Sequence, residues 1–277
     1  MPALLDVLQK RFPESSKTTL RQLLQNDRVR VNGAIERAAK RDIGPDDRVE
    51  VGSKLDVLDP RITILFQDDD LVVVEKAAGL LTVASATERG QTAEALLNAF
   101  YKAQPGESRV HVVQRLDRDT SGVIVFARNL DMRDRLQELF ATHDIERLYV
   151  AIIHGAMPQR SGTIRSFLAE DDDLRVRSIA DSVRGKEAIT HYRVVRKGEH
   201  YSVLEVTLET GRRNQIRVHL SEAGHPIVGD AMYGRGLPDR LGRLALHARD
   251  LGFVHPRTKK RMSFKAPVPD ELAAFPI

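Results

Sequence analysis

The sequence predicts an α+β protein. A small N-terminal module of two helices and a short sheet precedes a larger domain on a long mixed, mostly antiparallel β-sheet flanked by a few helices and loops. Three observations predict this class. Hydrophobic residues fill 42% of 277 positions, enough for a packed core. Helical periodicity dominates before residue 28, and short runs rich in Val, Ile and Tyr dominate after residue 60. We therefore predict domains over 1–55 and 56–277.

The N-terminal module is predicted from local capping and turn signals. Ser15 or Ser16 is a residue type that caps helices, and Leu20 and Leu24 form one apolar face behind it. Asn32-Gly33 is the strongest short signal for a hairpin turn. The predicted elements are helices over 2–12 and from the serine cap onward, strands over 28–31 and 47–51, and a linker over 53–60.

The larger domain is predicted from eight candidate strands and a few helices. Asn129 is placed to cap the second of two helices over about 91–102 and 130–143. The segment 214–223 fits a third helix, but its run 217–220 also fits a strand, and both alternatives stay open. The candidate strands are 62–66, 71–74, 110–113, 122–127, 148–154, 188–195, 201–208 and 217–220.

The composition excludes several classes of protein. The chain has no Cys, which excludes disulfides, thiolate catalysis and metal sites built on Cys. Its longest apolar stretch, 148–153, is far shorter than the ~20 residues that span a bilayer. The first residues do not form a signal peptide. We expect a soluble, cytoplasmic protein with no membrane partner.

Positive charge is concentrated in the segment 205–265. By our count the segment carries twelve Lys and Arg against six Asp and Glu, whereas the whole chain has a net charge of +4. Such an excess favours a polyanionic partner, most commonly a phosphate backbone. The alternative is a solvated basic face without a partner.

The polar stretch 114–122 lies between two apolar strands and is the first candidate for chemistry. A polar loop supported by rigid strands is a common way to present catalytic groups. Asp117 is flanked by Arg115 and Arg118. Nearby cations favour the ionised carboxylate that a nucleophile or base requires. The alternative is a salt-bridged structural turn.

The stretch 209–219 is the second candidate. Gly211 interrupts the preceding strand, and Arg212, Arg213 and Arg217 follow it. The planar guanidinium binds two oxygens of a phosphate or a carboxylate. The alternative is a basic turn without a ligand.

Two acidic runs, 68–70 and 171–173, invite comparison with Mg²⁺ sites. Acidic runs at turns are usually solvated loops, and the histidines lack the spacing of a zinc hydrolase. We therefore expect no metal site.

Several ordered motifs resemble those of the RluA-type RNA pseudouridine synthases. The N-terminal module, with Asn32-Gly33 after an alternating strand, is similar to the S-four-type RNA-binding domain that many of those enzymes carry. The motifs in the remainder of the chain are Arg115-Leu116-Asp117 with Thr120-Ser121-Gly122, Gly211-Arg212 with Gln215-Ile216-Arg217-Val218-His219, Lys76 with Gly79, Arg147 with Tyr149, and Leu244-Ala245-Leu246-His247-Ala248.

Three positions depart from the pattern of that family. Gln114 replaces a usual histidine, Arg213-Asn214 replaces a usual Thr-His pair, and Ala77 replaces a usual proline. None is the implied nucleophile, so the departures bear on substrate choice and rate.

The resemblance implies the pseudouridine synthase fold and an isomerase. Asp117 is then the catalytic carboxylate, either attacking the anomeric carbon or removing the ribose 2′ proton. Arg217 pairs with Asp117 and keeps it ionised. Tyr149 lies on the detached uracil and helps to remove its carbon-5 proton, and Leu246 forms an apolar wall.

The resemblance also implies an RNA partner. Arg115 takes the space of a uridine extruded from its helix. The RNA is ribosomal RNA or, as the second choice, transfer RNA, and the enzyme is a monomer that needs no cofactor. The residues expected on phosphates are Arg212, Arg213, Lys17 and Arg21. The alternatives are a non-catalytic RNA-binding or assembly factor that keeps the fold, and a metal-dependent RNA hydrolase.

Overall fold

The structure, a computed structural model, describes residues 1–25, 28–52, 58–85, 91–102, 109–173 and 175–277. These residues form two compact units, one of Met1–Asp59 with Leu96–Arg109 and one of Pro60–Ala95 with Val110–Ile277. The predicted boundary at 55/56 and most of the predicted linker lie outside the described residues. The predicted domain bounds and the RNA-binding role of the first domain stay predictions.

The first unit contains the predicted helices and strands. Its elements are α1 (Leu4–Arg11), α2 (Lys17–Gln25), β1 (Val29–Val31), β2 (Ala34–Ile35) and β3 (Val49–Val51), with the sheet order β2-β1-β3. Ser16 begins α2, because its hydroxyl accepts a hydrogen bond from the Thr19 amide. Asn32 and Gly33 both have positive φ, 54° and 81°, as a type I′ hairpin turn requires. Leucines of both helices pack with valines of β1 in one buried cluster.

The second unit is built on an eleven-stranded sheet. The strands are β4 (Ile62–Gln67), β5 (Leu71–Lys76), β6 (His111–Val112), β7 (Ser121–Ala127), β8 (Glu146–His154), β9 (Ser161–Glu170), β10 (Val176–Ile179), β11 (Lys186–Lys197), β12 (Tyr201–Leu208), β13 (Leu246–Val254) and β14 (Arg261–Lys265). The main order is β10-β9-β11-β12-β8-β13-β7-β5-β4, with β14 paired to β13 and β6 paired to β7. The sheet is mixed and mostly antiparallel, which confirms the predicted fold class.

Four helices complete the described elements: α3 (Ala93–Lys102), α4 (Leu130–Ala141), α5 (Gln215–Glu222) and α6 (Asp270–Ala273). Asn129 caps α4 as predicted, since its side chain accepts a hydrogen bond from the Met132 amide. The run 217–220, for which both a helix and a strand were open, lies in the helix α5. Six elements were not predicted from the sequence: β2, β9, β10, β13, β14 and α6. No helix among the described residues is both long enough and apolar enough to cross a bilayer.

β13 lies between β8 and β7 and joins the two halves of the sheet. Its pairing with β7 is parallel and aligns Gly122 with Ala248. Gly122 has φ +120°, and a Cβ built on it lies 2.1 Å from the Ala248 carbonyl oxygen. Only glycine therefore allows β7 and β13 to approach this closely at the start of their contact.

Candidate active site

A pocket of about 720 Å³ opens over the sheet of the second unit. This volume falls within the range of small-molecule sites in proteins. The pocket is lined by six of the predicted site residues: Asp117, Tyr149, Arg217, Arg115, Arg212 and Leu246. They come from the loop before β7, from β8, from β13, from α5 and from the turn that leads into α5.

The loop that carries Asp117 is fixed on both sides of that residue. The Thr82 hydroxyl donates to the Leu116 carbonyl at 2.8 Å and accepts from the Leu116 amide at 3.1 Å. On the other side, the Lys76 ammonium donates to the Arg118 carbonyl at 3.1 Å. A catalytic carboxylate needs such a support, because small displacements of a reacting group slow the reaction.

Lys76 is fully buried under this loop and has two further carbonyl acceptors, Ala77 at 2.9 Å and Leu80 at 2.7 Å. Burial lowers the pKa of the Lys76 ammonium to about 7, while the negative charges of Asp119 and Asp117 oppose that change. Lys76 thus connects the end of β5 to the loop that carries Asp117.

Asp117 and Arg217 meet in the pocket, although they are 100 positions apart in the sequence. The Asp117 Oδ2 to Arg217 Nη1 distance is 3.6 Å, and the Asp117 side chain is 21% exposed. Burial raises the pKa of Asp117 above its ordinary value, and the positive charges of Arg217 and Arg115 only partly oppose it. The predicted effect of the arginines on the Asp117 pKa thus has the expected sign but is outweighed by desolvation of the carboxylate, which a sequence does not show.

The start of α5 is held by Gln215, and this places Arg217. The Gln215 Oε1 accepts from the Thr210 hydroxyl at 2.8 Å and from the Arg212 amide at 2.9 Å. Its Nε2 donates to the Ile189 carbonyl at 3.0 Å. The side chain therefore ties the turn before α5 to β11.

Arg217 makes its closest contacts with Asp230, a residue that the sequence analysis missed. Arg217 Nε and Nη2 donate to the two carboxylate oxygens of Asp230, each at 2.8 Å. The Asn214 side-chain oxygen accepts from Arg217 Nη1 at 3.2 Å, and the Tyr233 ring lies 5.2 Å from the guanidinium. The sequence around Asp230, which follows Gly229, showed no pattern from which this contact with Arg217 was predicted.

Tyr149 and Leu246 form an adjacent apolar part of the pocket. In the β8–β13 ladder Tyr149 is opposite Ala248, and Leu246 is opposite Ala151. The two side chains therefore stand on one face of the sheet as diagonal neighbours. Burial raises the pKa of the Tyr149 phenol, and the Asp117 charge adds to this against the opposing Arg147. The predicted share of Tyr149 in removing the carbon-5 proton stays a prediction.

The remaining predicted residues are more dispersed. Arg115 and Arg212 are exposed at the pocket, whereas Arg213 forms an ion pair with Glu170 at 2.7 Å and does not line it. Lys17 and Arg21 are exposed on α2 and belong to the other unit.

The departures from the family pattern fit the site without disrupting it. Gln114 lines the pocket. Asn214 takes a left-handed conformation, φ 54°, which asparagine tolerates better than most residues. The Ala77 carbonyl accepts from the Lys76 ammonium. The contact between Asp117 and Arg217 forms in the presence of these departures. Arg147, from the motif that also contains Tyr149, donates to the carbonyls of Leu208 and Glu209 and lies 5.4 Å from the Phe140 ring.

Half of the cations in 205–265 have a carboxylate partner. The sequence count therefore overstates the free positive charge, although the excess of cations in the segment stands. The pairs are Arg213–Glu170, Arg217–Asp230, Arg243–Glu271, Arg249 with Glu205 and Asp250, Arg257–Asp70, and Arg261–Glu146.

The acidic run 68–70 is not the fully solvated loop that the sequence predicts. Asp70 is 5% exposed and pairs with Arg257 at 2.6 Å, and Asp68 lies beside the buried His255. His255 Nδ1 accepts from the amides of Arg257 and Thr258, so we infer that the ring proton is on Nε2, which faces Asp68 Oδ2 at 3.3 Å. A protonated nitrogen cannot bind a cation, so this cluster is a poor metal site.

Comparison with known proteins agrees with the geometry. The family model described as RNA pseudouridylate synthase matches residues 70–222. The chain is 34% identical over 292 residues to "Ribosomal large subunit pseudouridine synthase D" of Xylella fastidiosa, covering 96% of this chain and 85% of that protein. It is 33% identical over 270 residues to "Uncharacterized RNA pseudouridine synthase YlyB" of Bacillus subtilis, covering 93% of this chain and 88% of that protein.

A solved structure shows the same fold. The chain resembles "Human RNA Pseudouridylate Synthase Domain Containing 4" with a TM-score of 0.63 and 27% sequence identity, over 76% of this chain and 90% of that one.

Proposed function

Because the chain belongs to the RNA pseudouridylate synthase family and is therefore an isomerase, we propose that it converts specific uridines of large-subunit ribosomal RNA to pseudouridine through Asp117. The observation that carries the proposal is the meeting of Asp117 and Arg217 in a pocket large enough for a nucleotide.

Two arguments support ribosomal RNA as the substrate. Relatives that match most of this chain are named ribosomal large subunit pseudouridine synthases. The N-terminal helix–helix–sheet unit also resembles the S-four-type module that suits a structured RNA. Transfer RNA is the second choice.

The chemistry breaks one bond within a nucleotide and forms another. The bond between the anomeric carbon and uracil N1 breaks, the base turns, and carbon-5 bonds to the same anomeric carbon while its proton leaves and N1 gains one. Asp117 acts either by bonding to the anomeric carbon or by taking the ribose 2′ proton. Nothing is oxidised or imported, so the reaction needs no cofactor.

The pocket residues have complementary roles in this proposal. Tyr149 and Leu246 hold the detached base between the phenol ring and an apolar wall. Arg115, exposed at the edge, fills the space of the extruded uridine, and extrusion costs a few kcal/mol, least for an unpaired base. Arg212 at the pocket binds the adjoining phosphates.

Further cations extend the proposed RNA contact away from the pocket. Arg213 binds phosphate in exchange for its ion pair with Glu170. Lys17 and Arg21 are exposed on α2 and bind backbone phosphates from the first unit.

Mapping of pseudouridine in total RNA tests the proposal. Cells that lack the protein are complemented with the wild type, with Asp117→Asn, or with Asp119→Asn as a matched control in the same loop, where Asp119 is exposed. We expect the wild type and the control to restore the same ribosomal RNA positions and Asp117→Asn to restore none.

Restoration by Asp117→Asn would exclude Asp117 as the catalytic carboxylate. Restoration only in transfer RNA would reject the ribosomal substrate and leave the role of Asp117 intact. If purified protein forms no pseudouridine in ribosomal or transfer RNA, the proposed reaction fails on this chain.

A further inference from the structure

We infer that Asp230 is a positioning residue of the reaction: it fixes the Arg217 guanidinium by a two-point contact, so that Asp117 can lose its charge during catalysis without displacing Arg217. The inference rests on the proposed role of Asp117 and goes beyond it, because it concerns a carboxylate that lies outside the pocket lining.

The two carboxylates do not share Arg217 equally. Asp230 receives Nε and Nη2 at 2.8 Å each, the parallel geometry that gives an arginine–carboxylate pair its rigidity. Asp117 faces only Nη1, at 3.6 Å, beyond ordinary hydrogen-bond length. The position of the guanidinium is thus set by Asp230 rather than by Asp117.

Asp230 is itself fixed by a tight turn. Its side chain is fully buried, and Oδ1 also accepts from the amides of Met232 and Tyr233 at 3.0 and 2.9 Å. Its own carbonyl accepts from the Gly234 amide at 2.8 Å. These hydrogen bonds hold the Asp230 carboxylate in one position, and the carboxylate in turn holds the Arg217 guanidinium in place.

Asn214 and Tyr233 complete the support on the remaining sides of the guanidinium. The Asn214 Oδ1 accepts a hydrogen bond from Arg217 Nη1, and the Asn214 Nδ2 donates one to the Tyr233 hydroxyl at 3.2 Å. The same hydroxyl accepts from the Val176 amide at 3.1 Å, which connects this support to β10. Each of the three guanidinium nitrogens of Arg217 therefore has a fixed partner. Nη1 also faces Asp117.

The reaction needs two carboxylates beside Arg217, of which Asp117 changes its charge and Asp230 keeps it. In both routes Asp117 becomes neutral for part of the cycle, either as an ester or as an acid. If Arg217 depended on Asp117 alone, it would then be a buried cation without a counter-charge, which is strongly unfavourable. The second carboxylate keeps the guanidinium neutralised and in place for the return of the Asp117 charge.

The test compares Asp230→Asn with Asp172→Asn, the same change at an exposed acid of the β9–β10 turn. Single-turnover rates are measured at saturating ribosomal RNA across pH. We expect Asp230→Asn to react about 100-fold more slowly, the scale of a 1 Å misplacement, with RNA affinity within about twofold of the wild type. Asp172→Asn should match the wild type.

The acid limb of the pH profile separates positioning from general loss of structure. Without Asp230, Arg217 is free to pair closely with Asp117, so the limb should move to lower pH. The other ionisable groups whose charge acts on Asp117 are Arg115, Arg213, Lys76 and Tyr149, and all are unchanged in the variant. Asp230→Glu, which keeps the charge, should restore the limb and part of the rate.

Asn214→Gly covers the case in which Asp230→Asn does not fold. Glycine keeps the positive φ of this position and removes the Nη1 acceptor together with the hydrogen bond to the Tyr233 hydroxyl, while both contacts of Asp230 with Arg217 remain. A rate loss of about tenfold with normal RNA binding is expected. Wild-type rates in both variants, or a slowed Asp230→Asn with an unmoved acid limb, would overturn the inference. An inactive wild type would instead reject the proposed function.

Discussion

Replacing Lys76 by Met should change how the stability of the protein depends on pH. The ammonium is fully buried and donates to three carbonyls, including that of Arg118 beside the proposed catalytic carboxylate. Met has nearly the same length, so the variant removes the charge and its hydrogen bonds with little change in packing.

The magnitude follows from the pKa. Burial takes the pKa of Lys76 from 10.5 to about 7. Between these values the unfolded chain keeps the proton and the folded chain gives it up, so stability rises with pH by up to ~1.4 kcal/mol per unit. From pH 7 to pH 9 the contribution of Lys76 amounts to about 2 kcal/mol. At pH 7 the variant also removes the Lys76 donor from three carbonyls, although that of Arg118 keeps the Gly79 amide. Each carbonyl left unpaired costs ~1–3 kcal/mol, which offsets the relief from charge burial.

The assay is denaturant unfolding at pH 7, 8 and 9 for the wild type, Lys76→Met and the exposed-site control Lys186→Met. We expect the free energy of unfolding to rise more steeply with pH in the wild type and the control than in Lys76→Met, by about 2 kcal/mol over the range. Equal slopes in all three proteins would refute the argument that Lys76 carries a buried, titrating ammonium.

Two further stability predictions concern other parts of the second unit. Gly122→Ala should destabilise the protein by ~3 kcal/mol or more in denaturant unfolding, because its Cβ meets the Ala248 carbonyl at 2.1 Å. Gly236→Ala, also at positive φ but with nothing within 4 Å, should cost only ~1 kcal/mol, and a similar loss in both would contradict the close approach of β7 and β13. Asp117→Asn should raise the free energy of unfolding at pH 7, because burial raises the pKa of this carboxyl and the charged form therefore opposes folding. That gain should shrink as the pH is lowered toward 4, and a variant less stable than the wild type at pH 7 would show that the contact with Arg217 outweighs burial.

Elements with a local cause could be predicted from the sequence. The Ser16 cap, the Asn129 cap and the Asn32-Gly33 turn each depend on a few neighbouring residues, and all three are present. At α5 the apolar residues Ile216, Val218 and Leu220 alternate as in a strand, yet the segment is a helix that is buried on most sides. Periodicity could not decide this case, because burial all round removes the polar face on which the period depends.

The strands that were missed are polar on an exposed face or depend on distant partners. In β14 the exposed Arg261, Ser263 and Lys265 alternate with Met262 and Phe264, and the basic residues drew the interpretation toward RNA binding. Among the site residues, Asp117 was predicted from its polar loop between two apolar strands, whereas its role, Tyr149 and Leu246 were predicted through family motifs. Their convergence on one pocket, the raised pKa of Asp117 and the part of Asp230 all arise from tertiary packing.

The location of β13 determines when the pocket can exist during synthesis. The loop of Asp117 leads into β7 on one side of this strand, while Tyr149 in β8 and Arg217 in α5 belong to the other side. A nascent chain that ends before Leu246 lacks the strand between these halves and the apolar wall as well. The pocket that holds the carboxylate and the guanidinium is therefore complete only once β13 has been synthesised and has paired with both β8 and β7.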